Sequence, residues 1–325
     1  MFGLKDLLLT AKPVANENAT LLVSPTETHC APGYWTAVSA WGRKQGLKLS
    51  DFPLTNNQKG YAQAICFEAA LGEEDHYPFG RPNSGQTYAP LVILSDVDAT
   101  DSATTTINGV IRQQFSRLNA GDFVADLCDV VGDLHDNVWS HGESTGISMA
   151  QRWKKPCSED IQLVEFALAD CGIGFLRELK RTGIADKEHI TNHQEAIAWC
   201  VQKGHSSKKS SENTWAQRLP SDMMGNPMGQ DATIISSENH HLGLGLYKLM
   251  DLVRRYEGSL WLASGNSLLE IRSGGSETFH VLPIFWQGVA ITCRFSTDAL
   301  RSKKELSPEV DELERLLSDL MRGSQ

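Results

Sequence analysis

"GDLHDNVWSHG", residues 132–142, places a carboxylate, an amide and an imidazole at intervals of four residues. In a helix, Asp133, Asn137 and His141 therefore lie on one face, each one turn beyond the last. The apolar side chains between them fall on the adjoining face, where we expect them to join a core. The stretch predicts a helix that presents polar groups beside a buried surface.

The composition limits the classes of protein that this chain can belong to. It has 325 residues, 41% of them hydrophobic, which is enough for one large or two ordinary domains. The formal net charge of -10 argues against a nucleic-acid partner, because phosphates are met by clustered Lys and Arg. No apolar run approaches the length of a membrane span, and the seven cysteines contain no C-x-x-C pair. We therefore expect a soluble, cytoplasmic protein with reduced thiols and no membrane partner.

Two glycine motifs follow the polar helix along the chain. The first is D-x-G-x-G, formed by Asp170, Gly172 and Gly174 at the end of a predicted strand, 161–170. The second is L-G-L-G-L at the start of a predicted helix, and its residues are Leu242, Gly243, Leu244, Gly245 and Leu246. The chain contains no G-x-x-x-x-G-K-[ST] loop, and neither motif completes G-x-G-x-x-G.

Each motif has a chemical use and also a plainer explanation. The amide oxygen of Asn137 suits Mg²⁺ that carries phosphate oxygens, and Asp133 can polarise a water or hydroxyl aimed at the terminal phosphate. Asp170 accepts hydrogen bonds and can read the amino group of adenine. Glycines at a helix N-terminus, such as Gly243 and Gly245, offer backbone N–H groups to phosphates. Taken singly, each motif is also compatible with a solvated helix face or an ordinary turn.

The order of the three motifs resembles the GHKL superfamily of ATP-binding domains over about residues 105–296. Helix 133–141 resembles its N box, with Asn137 at the magnesium position and Asp133 where a catalytic Glu normally lies. "DCGIG" resembles the first glycine box, with Asp170 reading adenine, and "HHLGLGL" resembles the second. The resemblance implies that ATP and Mg²⁺ bind through these boxes. His141, at the end of the helix, either lies close to the phosphates or caps the helix end, where its charge interacts favourably with the helix dipole.

Two positions depart from the family pattern. Asp133 is one methylene shorter than the family's Glu, which disfavours rapid hydrolysis. Gly288-Val289 stands where gyrase-like members have Gly-Thr, so that a hydroxyl near the base is missing. Thr292 would replace that hydroxyl only if the register of the last strand were shifted.

The N-terminal region more loosely resembles a STAS-like module, the fold of anti-sigma antagonists. A predicted strand, 20–24, leads through "PTETHCAPG", 25–33, into an amphipathic helix that stops at Gly46. We therefore expect a smaller α/β STAS-like domain at 1–100, with the boundary near residue 100. Such modules carry a phosphoacceptor hydroxyl before this helix, whereas 29–33 reads His-Cys-Ala-Pro-Gly.

The expected fold class is α/β, with a Bergerat-type two-layer sandwich at 101–300 after the N-terminal domain. Such a sandwich has a mixed, mainly antiparallel sheet with helices on one face. A lid is predicted at 175–240, and an amphipathic helix at 301–325 carries a leucine stripe that suggests a homodimer. The implied function is Mg-ATP binding with slow hydrolysis or phosphoryl transfer to a partner protein. The alternative is a switch that binds ATP without hydrolysing it and whose lid controls partner binding.

Overall fold

The computed structural model describes residues 1–11, 29–203 and 245–305, without 117, 119, 143, 156–157 and 159–160. The strands are β1 (Tyr88–Leu94), β2 (Gly146–Lys154), β3 (Gln162–Asp170), β4 (Ser259–Ile271) and β5 (Glu277–Ser296). The helices are α1 (Leu4–Thr10), α2 (Pro32–Gln45), α3 (Asn56–Ala64), α4 (Phe67–Leu71), α5 (Val97–Phe115), α6 (Gly121–Gly142), α7 (Phe175–Arg181), α8 (Ile184–Lys187), α9 (His193–Cys200), α10 (Gly245–Arg255) and α11 (Thr297–Glu305). No helix in these ranges is long and apolar enough to cross a membrane.

The five strands form one antiparallel sheet in the order β1-β2-β3-β5-β4. The central strand, β3, pairs with β2 in a register that sets Asp170 opposite Gly146. On its other side it pairs with β5, with Ala167 opposite Thr292. Side chains of β3 alternate between the two faces, as the period of a strand requires. The mixed α/β class and the antiparallel character of the sheet are confirmed.

One face of the sheet is covered by α5, α6 and α10. Phe166 and Leu168 of β3 point into this core, where they join apolar residues from all three helices. The helical contribution comes from amphipathic spacing, which brings one apolar stripe of each helix onto the sheet. Helix residues in this core include Ile107, Val110, Ile111, Val130, Val131, Leu134, Leu249, Leu252 and Val253.

The opposite face is covered by α1, α2, α3 and α4. Small side chains of the sheet, including Ala169 and Ala290, let α2 approach closely, and large side chains such as Trp35 and Phe67 fill the surrounding space. A side chain at Gly33 would overlap Thr292 of β5, which shows how near the N-terminal turn of α2 lies to the strand. The predicted two-layer arrangement, with helices on one face of the sheet at 101–300, is therefore not confirmed, because helices from 1–71 cover the second face. A strand that is apolar on both sides needs cover on both sides.

The region predicted as a separate N-terminal domain contributes to this same sheet. β1 is the edge strand and pairs with β2, although the predicted boundary near residue 100 separates the two. That boundary falls inside α5, which runs without a break from Val97 to Phe115. Residues 1–11 and 29–94 thus supply an edge strand and one helical layer of the α/β structure.

Several local predictions agree with the structure and others do not. The helix that stops at Gly46, the helix at 120–141 and the strand at 161–170 are confirmed to within one residue or two. The apolar pattern of 60–72 predicts one helix, but the structure has two, α3 and α4, interrupted at Cys66. The patterns of 259–264 and 266–273 predict two strands, but these residues form one strand, β4, with an irregular register around Gly265. The strand at 20–24, the lid from 204 onward and the helix from 306 onward lie outside the described residues.

A buried ion pair joins the sheet to α2. Glu165 of β3 has no exposed surface, and its Oε2 accepts hydrogen bonds from Nε and Nη2 of Arg294 at 2.8 and 2.6 Å. Its other oxygen, Oε1, accepts the backbone N–H of Gly33 at 3.0 Å, at the N-terminus of α2. The guanidinium lies over the rings of Trp153 and Trp261, at 5.3 and 5.1 Å from their centroids. The carboxylate thus receives a cation, a backbone donor and a helix dipole.

Replacing Arg294 with Met should lower the free energy of unfolding by about 3–5 kcal/mol, because Glu165 would keep its charge in the core without a cation. Denaturant unfolding measures the loss. Arg254→Met is the matched control, since Arg254 pairs with Glu277 at 2.6 Å on the surface. Its loss should stay below about 1 kcal/mol. Equal losses in the two variants would contradict the role given to the buried pair.

Candidate functional site

Helix α6 places Asp133 at its contact with α10. Only 2% of Asp133 is exposed, and its Oδ2 lies 3.4 Å from Nζ of Lys248. A Cβ on Gly245, the first residue of α10, would lie 2.8 Å from the Cβ of Asp133. The first turn of α10 therefore rests directly on the acid. The absence of a side chain at Gly245 makes that approach possible.

Asn137 lies one turn after Asp133 on the same helix and is half-buried. His141 lies in the last turn of α6, and no contact of its side chain is described. Leu246 is half-buried in the first turn of α10, next to Gly245. Leu242, Gly243 and Leu244 lie outside the described residues. The structure thus brings Asp133 together with Gly245 and leaves the rest of the second glycine motif untested.

A buried histidine holds α6 on the sheet. His135 has no exposed surface, and its Nδ1 and Nε2 lie 2.8 Å from Thr104 Oγ1 of α5 and Ser148 Oγ of β2. Burial lowers the pKa of His135 to about 3, so the ring is neutral at physiological pH. Positions two apart in a helix point to nearly opposite sides, so Asp133 and Asn137 point away from the side that His135 occupies. His135 was not assigned to the core from the sequence, although its offset from the polar face indicated a core contact.

Asp170 ends β3 and is 5% exposed. Its Oδ1 accepts the backbone N–H of Gly172 at 2.7 Å, and the N–H of Val289 also bonds to the carboxyl group. Burial raises the pKa of Asp170 to about 6, although these two donors and the nearby Lys44 act in the opposite direction. Lys44 comes from α2 and donates to the carbonyl of Cys171 at 3.0 Å. The carboxyl group is therefore held by backbone donors in a desolvated turn.

The turn after Asp170 fits against β5 through glycines. Gly288 has φ +92°, and a Cβ there would lie 2.5 Å from both the backbone O and Oδ1 of Asp170. Gly174 has φ +72°, and its Cβ would lie 2.9 Å from Ser264 Oγ, which itself donates to the carbonyl of Gly288 at 2.9 Å. Side chains at Gly288 or Gly174 would be strained by the backbone and would meet these atoms. The "DCGIG" turn therefore packs tightly against Ser264 of β4 and Gly288 of β5.

The first two motifs meet through β2. A Cβ on Gly146 would lie 2.7 Å from Val138 Cγ1 of α6, so this part of the helix rests on Gly146. Gly146 is the direct cross-strand partner of Asp170. Directly opposed residues in an antiparallel pair lie about 5 Å apart. The turn of α6 that carries Asn137 and the end of β3 that carries Asp170 are consequently neighbours on one face.

Thr292 does not reach this site. It lies opposite Ala167 and against Gly33, on the face covered by α2. Asp170 continues the alternation of Phe166 and Leu168, which point to the other face. The proposed replacement for the family's hydroxyl through Thr292 is therefore wrong.

Lys248, Ser264 and Gly288 were not assigned to the site from the sequence. Lys248 gave a local signal, because it is three residues after Gly245 and so one turn along the same helix. Ser264 gave none, since only strand pairing brings it beside Gly174, whereas Gly288 stands where the resemblance placed the family's Gly-Thr. Within the described ranges, no group of three or more His, Cys, Asp or Glu side chains is arranged to hold a metal ion.

Comparisons with protein-family models, with curated proteins and with solved structures gave no match to this chain. The resemblances to the GHKL superfamily and to a STAS-like module consequently remain predictions from the sequence motifs.

Replacing Gly288 with Ala should destabilise the protein much more than the same change at Gly274. Both glycines have positive φ, +92° and +101°, but a Cβ at Gly274 meets nothing within 4 Å. We expect about 1 kcal/mol for Gly274→Ala from backbone strain, and at least about 3 kcal/mol for Gly288→Ala, where the turn of Asp170 must also move. Thermal or denaturant unfolding of both variants measures the difference. Equal losses would show that the turn tolerates a side chain.

Proposed function

We propose that this protein binds Mg-ATP in the manner of a GHKL domain and hydrolyses it slowly or transfers its γ-phosphoryl group to a partner protein. The observation that carries the proposal is the convergence of residues far apart in sequence. Asp133 contacts Gly245. In the next turn of the same helix, Val138 contacts Gly146, which is the cross-strand partner of Asp170. These are residues of all three sequence motifs, on one face of one sheet.

The adenine end of the proposed site is the turn at Asp170. A carboxylate accepts hydrogen bonds only, so it selects a donor such as the exocyclic amino group of adenine. Gly172 and Val289 already donate to it and fix its orientation. The carboxyl group is buried, so a base that brings no N–H donor to its remaining acceptor position binds less well. This supports selection for adenine over bases that lack the amino group.

The phosphate end of the proposed site is the start of α10. A helix N-terminus presents backbone N–H groups and the positive end of the dipole, and this helix begins at Gly245 beside Asp133. Lys248 is 40% exposed in the next turn and adds a positive charge that phosphate oxygens can share.

Asn137 is the residue that would hold Mg²⁺. Its amide oxygen is a hard, neutral ligand, and Mg²⁺ in nucleotide sites takes most of its other ligands from phosphates and water. A site with one protein ligand agrees with the lack of a larger His, Cys, Asp or Glu group among the described residues. Bound Mg²⁺ would neutralise charge on the phosphate oxygens.

The pairing of Asp133 also supports a second candidate function. As a general base, Asp133 would take a proton from the attacking water or hydroxyl. Lys248 lies 3.4 Å from its Oδ2, so the side of the carboxyl group that would take the proton already faces a cation. An ATP-dependent switch that does not hydrolyse its nucleotide is therefore the alternative, with ligand binding rather than turnover as the signal.

The affinity for adenosine should fall about tenfold between pH 7 and pH 5. Burial raises the pKa of Asp170 to about 6, so the carboxylate, which accepts the adenine N–H, predominates above that pH. Below that pH the protonated acid must first lose its proton, which weakens binding. Adenosine is the probe because a terminal phosphate titrates in the same range. Isothermal calorimetry at several pH values gives the profile.

Asp170→Asn is the matched variant for this profile. Asparagine has nearly the same shape but does not titrate, so its weaker binding of adenosine should be independent of pH. Thermal melting without ligand checks that the variant is folded. A pH profile in Asp170→Asn that follows the unmodified protein would contradict the adenine-reading role, and the absence of ATP binding in the unmodified protein would overturn the proposed function.

Asp133→Asn distinguishes the enzyme from the switch. If Asp133 is the base, the variant should lose about 10²–10⁴-fold in rate while keeping its affinity for Mg-ATP. Phosphate release and transfer of labelled phosphate to protein measure the rate, and calorimetry measures the affinity. Asn137→Ala is the companion variant, in which we expect Mg²⁺-dependent binding to be impaired. Unchanged turnover in Asp133→Asn would exclude the residue as base, and undetectable turnover in the unmodified protein would favour the switch.

A further inference from the structure

Lys44 reaches the turn after Asp170 from the helical layer on the opposite face of the sheet, which α1, α2, α3 and α4 form. It lies in the last turn of α2, and its Nζ donates a hydrogen bond to the backbone carbonyl of Cys171 at 3.0 Å. Helix α2 contributes no residue to the three sequence motifs. A residue outside the motifs therefore holds the turn that was assigned to adenine.

The strand that carries Asp170 holds α2 near both of its ends. The backbone N–H of Gly33 donates to Glu165 of β3, and Lys44 donates to Cys171, directly after the end of that strand. At about 1.5 Å per residue the helix advances about 16 Å between these contacts, and at about 3.3 Å per residue the strand advances about 20 Å. The difference is within the length of a lysine side chain. The packing of α2 along β3 therefore places Lys44 at the turn.

The hydrogen bond from Lys44 acts on the group that orients Asp170. The carbonyl of Cys171 and the N–H of Gly172 belong to one peptide group, which is planar, so fixing the oxygen fixes the direction of the N–H. That N–H donates to Oδ1 of Asp170 at 2.7 Å. Glycine accepts either sign of φ, so Gly172 alone does not hold the peptide group in this orientation. Lys44 supplies a constraint that the turn itself lacks.

The positive charge of Lys44 strengthens the same donor. A charged donor forms a stronger hydrogen bond than a neutral one, and hydrogen bonds in a chain polarise one another by about 10–30% per bond. Here the chain runs from the ammonium through the peptide group to the carboxylate. Burial raises the pKa of Asp170 to about 6, whereas Lys44 acts in the opposite direction, as do the N–H groups of Gly172 and Val289. The ammonium therefore favours the form of Asp170 that only accepts hydrogen bonds.

We propose that Lys44 positions the carboxylate of Asp170 through the peptide group between Cys171 and Gly172, and that α2 thereby determines the affinity for the nucleobase. The second part rests on the proposed nucleotide function, whereas the first part is a property of the protein without ligand. Lys44 is a positioning residue, because Asp170 alone contacts the amino group of the base.

Amide hydrogen exchange in the full chain without ligand tests the positioning. We expect Lys44→Met to accelerate exchange of the Gly172 N–H, measured by nuclear magnetic resonance, by about 3- to 10-fold, because one hydrogen bond to its peptide group is lost. Lys44→Arg keeps the charge and a donor and should restore most of the protection. Lys48→Met is the matched control, since Lys48 is also exposed but bonds to Asp51 through its backbone N–H. Melting temperatures within about 2 °C of each other confirm that the variants are folded.

Calorimetry with adenosine tests the link to the nucleotide site. Lys44→Met should weaken binding of adenosine by about 3- to 10-fold, because the carboxylate that reads the amino group is held less well. Lys44→Arg should recover most of this affinity, and Lys48→Met should bind as the unmodified protein does.

The two measurements separate the parts of the proposal. Unchanged exchange of the Gly172 N–H in Lys44→Met, or an equal acceleration in Lys48→Met, would overturn the positioning role. Faster exchange without a loss of adenosine affinity would overturn the role of α2 in binding. If the unmodified protein does not bind adenosine, the proposed nucleotide function fails, and the exchange measurement still decides whether Lys44 positions Asp170.

Discussion

The carboxylate of Glu165 lies in the middle of the sheet with no exposed surface, and groups from two other parts of the chain reach it. Arg294 comes from the neighbouring strand, and the backbone N–H of Gly33 comes from the start of α2. A buried charge is tolerated only where such partners are present, so this contact constrains the register of β3 against β5 and the position of α2. The register in turn sets Gly288 beside Asp170, and the position of α2 brings Lys44 to the carbonyl of Cys171.

The two faces of the sheet thereby acquire different chemistry. On one face, His135 bonds to Thr104 and Ser148 and holds α6 so that its flank, with Asp133, meets α10. On the other face, small residues allow α2 to approach closely, while large aromatic residues nearby leave a cavity. Asp133, Lys248 and Asp170 lie on the first face. Trp35, Tyr61 and Trp153 line the cavity on the second face.

Much of the fold was predictable where a local signal was strong. The helix that carries Asp133 and the strand that ends at Asp170 follow from apolar periodicity, and Asn192 with Glu195 marks the start of α9 as the capping pattern predicts. β1 and β2 were not predicted. β1 is short and follows a loop rich in glycine and proline, and β2 mixes apolar residues with polar ones such as Gln151 and Arg152. Cys66, which separates α3 from α4, has a left-handed backbone that no residue pattern indicates.

The sequence by itself determined the spacing of the acidic and amide residues in the proposed nucleotide site, because residue type and helical or strand spacing are local properties. Asp133 and Asn137 share a helix face, and Asp170 ends a strand, whatever surrounds them. Only the tertiary structure decided that Lys248 pairs with Asp133, that Thr292 faces away, and that the N-terminal helices cover the second face. Those contacts join residues more than 100 positions apart, such as Lys248 with Asp133 and Arg294 with Glu165. They depend on strand order and on the packing of helices against both faces, which no local pattern of residues encodes.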